Sequence, residues 1–233
     1  MKLTVLGAGC WGLTLAWLLT DNFEEVTVWG REQDLSDDLI NSKHCSKPLE
    51  VQLADKVEIT SDMEAAISGA DIILNVVATS GTRSVCENLK KSGIKSEQIL
   101  VNASKGIELP SLMRMSEVIK DVLPQQKLVI LSGPTLAKEV LQGLPTAASV
   151  ASEDIETAEF VQKACSVPGK FRLYTNSDVI GVELGGSLKN VIAIASGFAH
   201  EMGLGDNCAG TLLTRGMAEI VRVSINLGAN PST

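Results

Sequence analysis

Residues 2–6, Lys-Leu-Thr-Val-Leu, make a short β-type run. It leads directly into Gly7-Ala8-Gly9-Cys10-Trp11-Gly12 and then into the helix-like stretch Leu13–Leu19. Strand, G-x-G-x-x-G and helix in that order form the dinucleotide fingerprint in the context it requires. Gly7 serves the tight turn, Gly9 lets the backbone approach a pyrophosphate, and Gly12 lets helix and strand pack closely. The pyrophosphate would sit on the exposed N–H groups at the helix N-terminus, where the helix dipole favours an anion. A second strand, Val26-Thr27-Val28-Trp29, follows at the spacing of one βα unit.

The stretch from Leu3 to Thr20 carries no charged residue and is long enough to suggest a membrane span or a leader peptide. Three glycines at motif spacing, a β-type start and the lack of a small-residue cleavage site favour a buried strand and helix instead. No membrane insertion is expected. At the end of the second strand, where an NAD site usually carries Asp or Glu for the ribose 2′-hydroxyl, the residues are Gly30-Arg31-Glu32. Gly30 leaves room and Arg31 could face a 2′-phosphate. The reading leans to NADP, and Glu32 keeps NAD open.

Further strand patterns at 71–77, 98–102, 127–131, 146–150 and 170–174 alternate with helical patterns at 62–69, 82–92, 111–123, 135–142 and 154–166. Such alternation predicts an α/β fold, a Rossmann-type, largely parallel sheet with helices on both faces. Near Asp178 the β signal stops, and two helix-length segments follow at 178–202 and 206–228. The expected organisation is a dinucleotide-binding domain over 1–178, then a separate helical part over 179–233. Asn230-Pro231-Ser232-Thr233 reads as the cap of a further helix.

Bulk properties narrow the partners. A net charge of −8 and 3% aromatic residues disfavour nucleic acid and anionic membrane. The five scattered cysteines contain no C-x-x-C pair and read as reduced thiols of a cytoplasmic protein. With only His44 and His200, no metal site is expected.

In the helical part, Gly185-Gly186-Ser187-Leu188-Lys189-Asn190 interrupts an apolar segment. A lysine there is costly unless partnered or working, and desolvation lowers its pKa toward the range useful for proton transfer. The paired glycines suggest close backbone approach. A structural lysine reaching out of a packed helix is the plain alternative. Two polar clusters fall at strand ends, where ligands of open α/β sheets sit: Asn102-Ala103-Ser104-Lys105-Gly106 and Ser132-Gly133-Pro134-Thr135. Taken singly, the second is an ordinary turn and N-cap and Lys105 an ordinary loop lysine. Together with the fingerprint they converge on one rim of one sheet.

These motifs resemble, in order and over essentially the whole chain, those of the NAD(P)-dependent glycerol-3-phosphate dehydrogenase family. The blocks are the fingerprint itself, Val28–Arg31, Ser104–Glu108, Ser132–Glu139, Gly143–Thr146, Gly181–Ala193 and Leu213–Glu219. The resemblance implies reversible reduction of dihydroxyacetone phosphate to sn-glycerol 3-phosphate, feeding phospholipid synthesis. It implies Lys189 as general acid/base and Lys105 as a lysine shared between substrate and cofactor. Gly133, Thr135 and Asn190 fall at substrate-binding positions; Gly7, Gly9, Cys10, Trp11, Gly12, Arg31 and Ala137 fall at cofactor-binding positions. Leu136 stands where phenylalanine is expected, and Cys10 where a small polar residue is commoner. The resemblance also implies that 179–233 is the first part of an all-helical substrate domain with roughly a hundred further residues, including a Gly-x-Gly-Asp segment and an Arg-Asn pair that grips the substrate phosphate. Two other readings stay open. A two-domain hydroxyacid dehydrogenase would space its lysine and asparagine about one helical turn apart, whereas Lys189 and Asn190 are adjacent. A dinucleotide-binding module without appreciable catalysis would bind cofactor only. A second copy of the chain, in a homodimer, could cover apolar faces of the last two helices.

Overall fold

A computed structural model describes residues 1–233. In chain order the elements are β1 (Lys2–Leu6), α1 (Cys10–Leu19), β2 (Glu25–Trp29), α2 (Asp37–Ser42), β3 (His44–Cys45), β4 (Val51–Gln52), β5 (Val57–Thr60), α3 (Met63–Ile67), β6 (Ile72–Asn75) and α4 (Thr82–Lys91). They continue with β7 (Ile99–Asn102), α5 (Met115–Val122), β8 (Lys127–Ser132), α6 (Ala137–Leu141), β9 (Thr146–Ala151), α7 (Ile155–Cys165), β10 (Phe171–Asn176), α8 (Val179–Glu201) and α9 (Gly205–Asn226).

Eight strands form one sheet in the order β10-β9-β8-β7-β6-β1-β2-β5, and β3 and β4 form a separate small hairpin. The six strands from β5 to β8 are mutually parallel. Counted along the chain they lie 3-2-1-4-5-6, the doubly wound order, which reverses direction between β1 and β6. These strands are apolar because helices cover both faces; Ile72–Asn75 and Ile99–Asn102 are buried throughout. β5 pairs with β2 at the edge, and its Val57-Glu58-Ile59-Thr60 lacks the continuous apolar run that marks the inner strands in the sequence.

β9 departs from the parallel expectation. It returns antiparallel to β8, and β10 pairs parallel to β9. The chain therefore leaves β10 on the rim opposite the ends of β1, β6, β7 and β8. From there α8 runs back along β8. Val179 lies near Lys127 and Leu128 at the start of that strand. Gly186 meets Ser132 at its end: a Cβ on Gly186 would lie 2.0 Å from the Ser132 Oγ. Ten helical residues rise about 15 Å, enough to carry Lys189 from one rim to the other.

Asp178 caps α8, its Oδ1 accepting from the Gly181 N–H at 2.9 Å, while its Oδ2 accepts from the Asn230 N–H at 2.8 Å. The last four residues thus fold back onto the start of α8. By length and composition alone α8 could cross a membrane; here its first half packs on the sheet and α9 lies beside it. The five cysteines are unpaired.

Candidate active site

The turn after β1 is built as the glycines demand. Gly7 has φ +118°, and a Cβ there would press on the Val76 backbone at 3.1 Å. A Cβ on Gly12 would stand 1.9 Å from the Gly7 carbonyl oxygen. Gly9 differs, because its Cβ position meets nothing within 4 Å. It faces a cavity of about 600 Å³ at the β1/β6 reversal, lined by Gly7, Ala8, Gly9, Gly30, Arg31 and Asp34 on one side and Val76–Ala78, Ser80 and Gly81 on the other. No side chain caps the N-terminus of α1, which leaves its first N–H groups for an anion. An open space over Gly9 and an uncapped helix end suit a dinucleotide pyrophosphate.

Cys10 and Trp11 begin α1 but lie outside the lining of that cavity. The Trp11 ring turns inward and meets Phe171 edge-on, with centroids 6.4 Å apart, and its buried Nε1 has no partner. What Trp11 can offer a cofactor is its backbone N–H. Arg31 does border the cavity, with its guanidinium forked onto Asp34: Nε to Oδ2 is 2.6 Å and Nη2 to Oδ1 is 3.0 Å.

Next to this cavity the loop after β7 and helix α8 bring two lysines together at the end of β8. The Lys105 Nζ donates to the Gly133 carbonyl at 2.9 Å and to the Thr135 Oγ1 at 3.1 Å. The Lys189 Nζ reaches the same Gly133 carbonyl at 3.5 Å. Burial first, and the charge of Lys189 second, push the Lys105 ammonium down to about 8. The sequence around Lys105 carries no sign of this burial, because the groups that enclose it come from the ends of other elements, Gly133, Thr135 and Lys189. Gly133 admits no side chain, since a Cβ would lie 2.8 Å from the Ala148 Cα. Lys189, Gly133, Ser132, Gly185 and Gly186 line a second cavity, of about 280 Å³. Close approach explains Gly186 only; a Cβ on Gly185 would meet nothing within 4 Å. Ala137 is half-buried at the start of α6, and Asn190 is exposed outside both cavities that Lys189 lines.

Four supporting contacts leave no mark in the sequence. Thr79 donates its hydroxyl to the Lys105 carbonyl at 2.9 Å, and Ser104 donates to the Val77 carbonyl at 2.6 Å, tying the lysine loop to the wall of the dinucleotide cavity. The Ser187 Oγ accepts from the Gly106 N–H at 3.0 Å. Glu183, 3% exposed on α8, accepts from the Ser116 N–H at 2.8 Å, the Ser116 hydroxyl at 2.6 Å and Arg114 at 3.0 Å. Burial raises its carboxyl above its ordinary value despite these donors. The rule that singles out Lys189, a charge inside an apolar helix, applies equally to Glu183.

A doubly wound sheet, an open uncapped glycine turn at the strand reversal, and paired ammonium groups on the same rim define a Rossmann-type, dinucleotide-dependent oxidoreductase. The family description "NAD-dependent glycerol-3-phosphate dehydrogenase N-terminus" matches residues 2–158, and the corresponding C-terminal description matches residues 178–233. The chain belongs to that family. It is 42% identical over 233 residues to glycerol-3-phosphate dehydrogenase [NAD(P)+] of a Thermoanaerobacter species, covering 100% of this chain and 70% of the relative. Identity to the Bacillus subtilis enzyme of the same name is 43% over 237 residues, covering 100% and 68%. The crystal structure of glycerol-3-phosphate dehydrogenase from Coxiella burnetii superimposes with a TM-score of 0.90 at 31% identity, covering 99% of this chain and 70% of that one. Gly203-Leu204-Gly205-Asp206 already matches the Gly-x-Gly-Asp pattern inside this chain, at the α8–α9 turn, where Asp206 is exposed.

Proposed function

We propose that the chain binds NADP or NAD and uses it for the reversible reduction of dihydroxyacetone phosphate to sn-glycerol 3-phosphate. The observation that carries this reading is the sharing of the Gly133 carbonyl by Lys105 and Lys189 beside the Gly9 cavity. The first N–H groups of α1, from Cys10, Trp11 and Gly12, would hold the pyrophosphate, with Arg31 toward the adenosine end and Ala137 near the cofactor. When bound, the nicotinamide supplies the hydride. Lys189 serves as general acid toward the ketone oxygen during reduction and as base in the reverse direction. The Lys105 ammonium adds a fixed positive charge where the oxyanion develops. With its pKa near 8, Lys105 can also accept or release a proton close to neutrality. Gly133 and Thr135 frame the substrate, whereas Asn190, exposed and outside both cavities, is given no part in binding it.

In this reading residues 1–178 form the dinucleotide-binding domain and 179–233 the first helices of a substrate domain. The protein acts in the cytoplasm, and its product feeds phospholipid synthesis. A homodimer would cover the exposed apolar residues of the last two helices.

The test is NADPH or NADH oxidation by the purified chain with dihydroxyacetone phosphate, the longer Thermoanaerobacter relative serving as positive control. Saturable, substrate-dependent oxidation is expected, together with a 10²–10⁴-fold loss of kcat and unchanged cofactor affinity in Lys189→Ala. Unchanged kcat in Lys189→Ala would remove the proposed role. Cofactor binding with no substrate-dependent oxidation would make the chain a binding module.

A further inference from the structure

The adenosine end of the dinucleotide cavity contains a feature with no part in the scheme above. Arg31 is the basic residue bordering that cavity, and its fork is filled by Asp34 three residues later. The arrangement is built by the backbone. Gly30 closes the end of β2, its N–H donating to the Thr60 carbonyl, and a Cβ there would lie 2.6 Å from Leu35. The chain then makes a single 3₁₀ turn, Glu32–Asp34, in which the Asp34 N–H donates to the Arg31 carbonyl at 2.8 Å. That turn folds the Asp34 carboxylate back onto its own guanidinium. Asp34 is also the one carboxylate in the cavity wall.

We propose that Asp34 is a determinant of cofactor preference: its carboxylate occupies the Arg31 fork in competition with the 2′-phosphate of NADP(H). The proposal rests on the reading that Arg31 borders the adenosine ribose. A guanidinium fork accepts a carboxylate or a phosphate in the same bidentate geometry, so the two anions exclude each other. NADPH must displace Asp34 and then sit a few ångströms from a like charge. NADH carries no 2′-phosphate and leaves the pair intact. The chain therefore holds an arginine suited to NADP and, beside it, the residue that blunts that preference.

The test is direct binding of NADPH and NADH to four proteins: the unaltered chain, Asp34→Asn, Arg31→Ala and the double variant, at low ionic strength where exposed charges are least screened. Thermal unfolding checks that each remains folded. In Asp34→Asn, NADPH should bind about tenfold more tightly while NADH changes by less than about threefold, and the gain should vanish in the double variant. Arg31→Ala alone should weaken NADPH selectively. If Arg31→Ala weakens NADPH but Asp34→Asn does not tighten it, the proposal is overturned while the site reading survives. NADH weakened by Asp34→Asn with NADPH unchanged would make Asp34 a ribose ligand and overturn it equally. If Arg31→Ala affects neither cofactor, the placement of the adenosine end fails and the proposal with it.

Discussion

The first and last long helices of the chain are both rich in apolar residues and are treated in opposite ways by the fold. In α1, seven of ten residues are buried, among them Leu13, Leu15, Leu18 and Leu19. In α9, of 22 residues only Gly216 and Ser224 are buried, while Leu213 and Met217 are more than half exposed. Helix α8 stands between these extremes. Its first half holds Val182, Glu183, Leu184 and Gly186 inside, and its second half exposes Val191, Ile194 and Phe198. The sheet region is thus packed to completion around the glycine turn. The helical pair is fastened to it by the first two turns of α8, and that fastening sets where Lys189 ends up. Substitutions in the two regions should consequently differ in size and even in sign.

The largest effect is expected at Gly12. A methyl group there collides with the Gly7 carbonyl at 1.9 Å, which is backbone and cannot move without opening the turn. Gly12→Ala should abolish dinucleotide binding, measured by cofactor titration, and lower the unfolding temperature by several degrees. The contrasting change is Gly197→Ala in the exposed half of α8, where a Cβ meets nothing within 4 Å. It should stabilise the chain by about 0.5–1 kcal/mol, because it removes a flexible glycine from a helix interior.

Second in size is Glu183, the fastening itself. Glu183→Ala strands Arg114 and the Ser116 donors and should cost about 3–5 kcal/mol in denaturant unfolding. Glu183→Gln, which keeps an acceptor, should cost clearly less. Equal losses would mean that the charge, not the acceptor geometry, holds α8 in place.

Lys105 gives the third stability effect, one with a defined pH signature. Its folded-state pKa, about 8, lies below its ordinary value of 10.5. Between those pH values the unfolded chain binds more protons than the folded one, so the Lys105 contribution to stability rises as pH climbs through the window. Lys105→Met should remove that rise, visible as a difference in unfolding free energy between variant and parent from pH 8 to 10.5. The same proton predicts that turnover declines in both directions as pH passes about 8, because Lys105 then loses the charge that stabilises the shared oxyanion-like transition state.

Much of the sheet and the chemistry-bearing residues were legible because their signals are local. The fingerprint names its own glycines, and the strand patterns at 98–102 and 127–131 place Lys105 and Gly133 at adjacent strand ends. What stayed hidden was long-range. The antiparallel return of β9 leaves no mark in Thr146–Ala151, since pairing direction depends on where the connecting chain lies rather than on the strand's own residues. Yet that return lets α8 climb along β8 and deliver Lys189 to the rim. The pairing of Arg31 with Asp34 was equally invisible, because a carboxylate three residues from an arginine is ordinary in any surface turn until the backbone folds it back. Residues 111–114 read as the start of a helix, but the chain there makes a loop instead. Arg83 on α4 holds that loop through Glu108, with its Nε 2.9 Å from the carboxylate, and the helix begins only at Met115.

The account depends most on the ammonium groups of Lys105 and Lys189 bordering the space that a bound nicotinamide fills. NMR of the chain with 13Cε-labelled lysine, assigned through Lys105→Arg and Lys189→Arg, reads both side chains directly during titration with NADH. The account predicts that these two resonances shift together, at the same cofactor concentration, while lysines at the opposite rim such as Lys120 stay still. Saturation of the cofactor site with the Lys105 and Lys189 signals unmoved would contradict it.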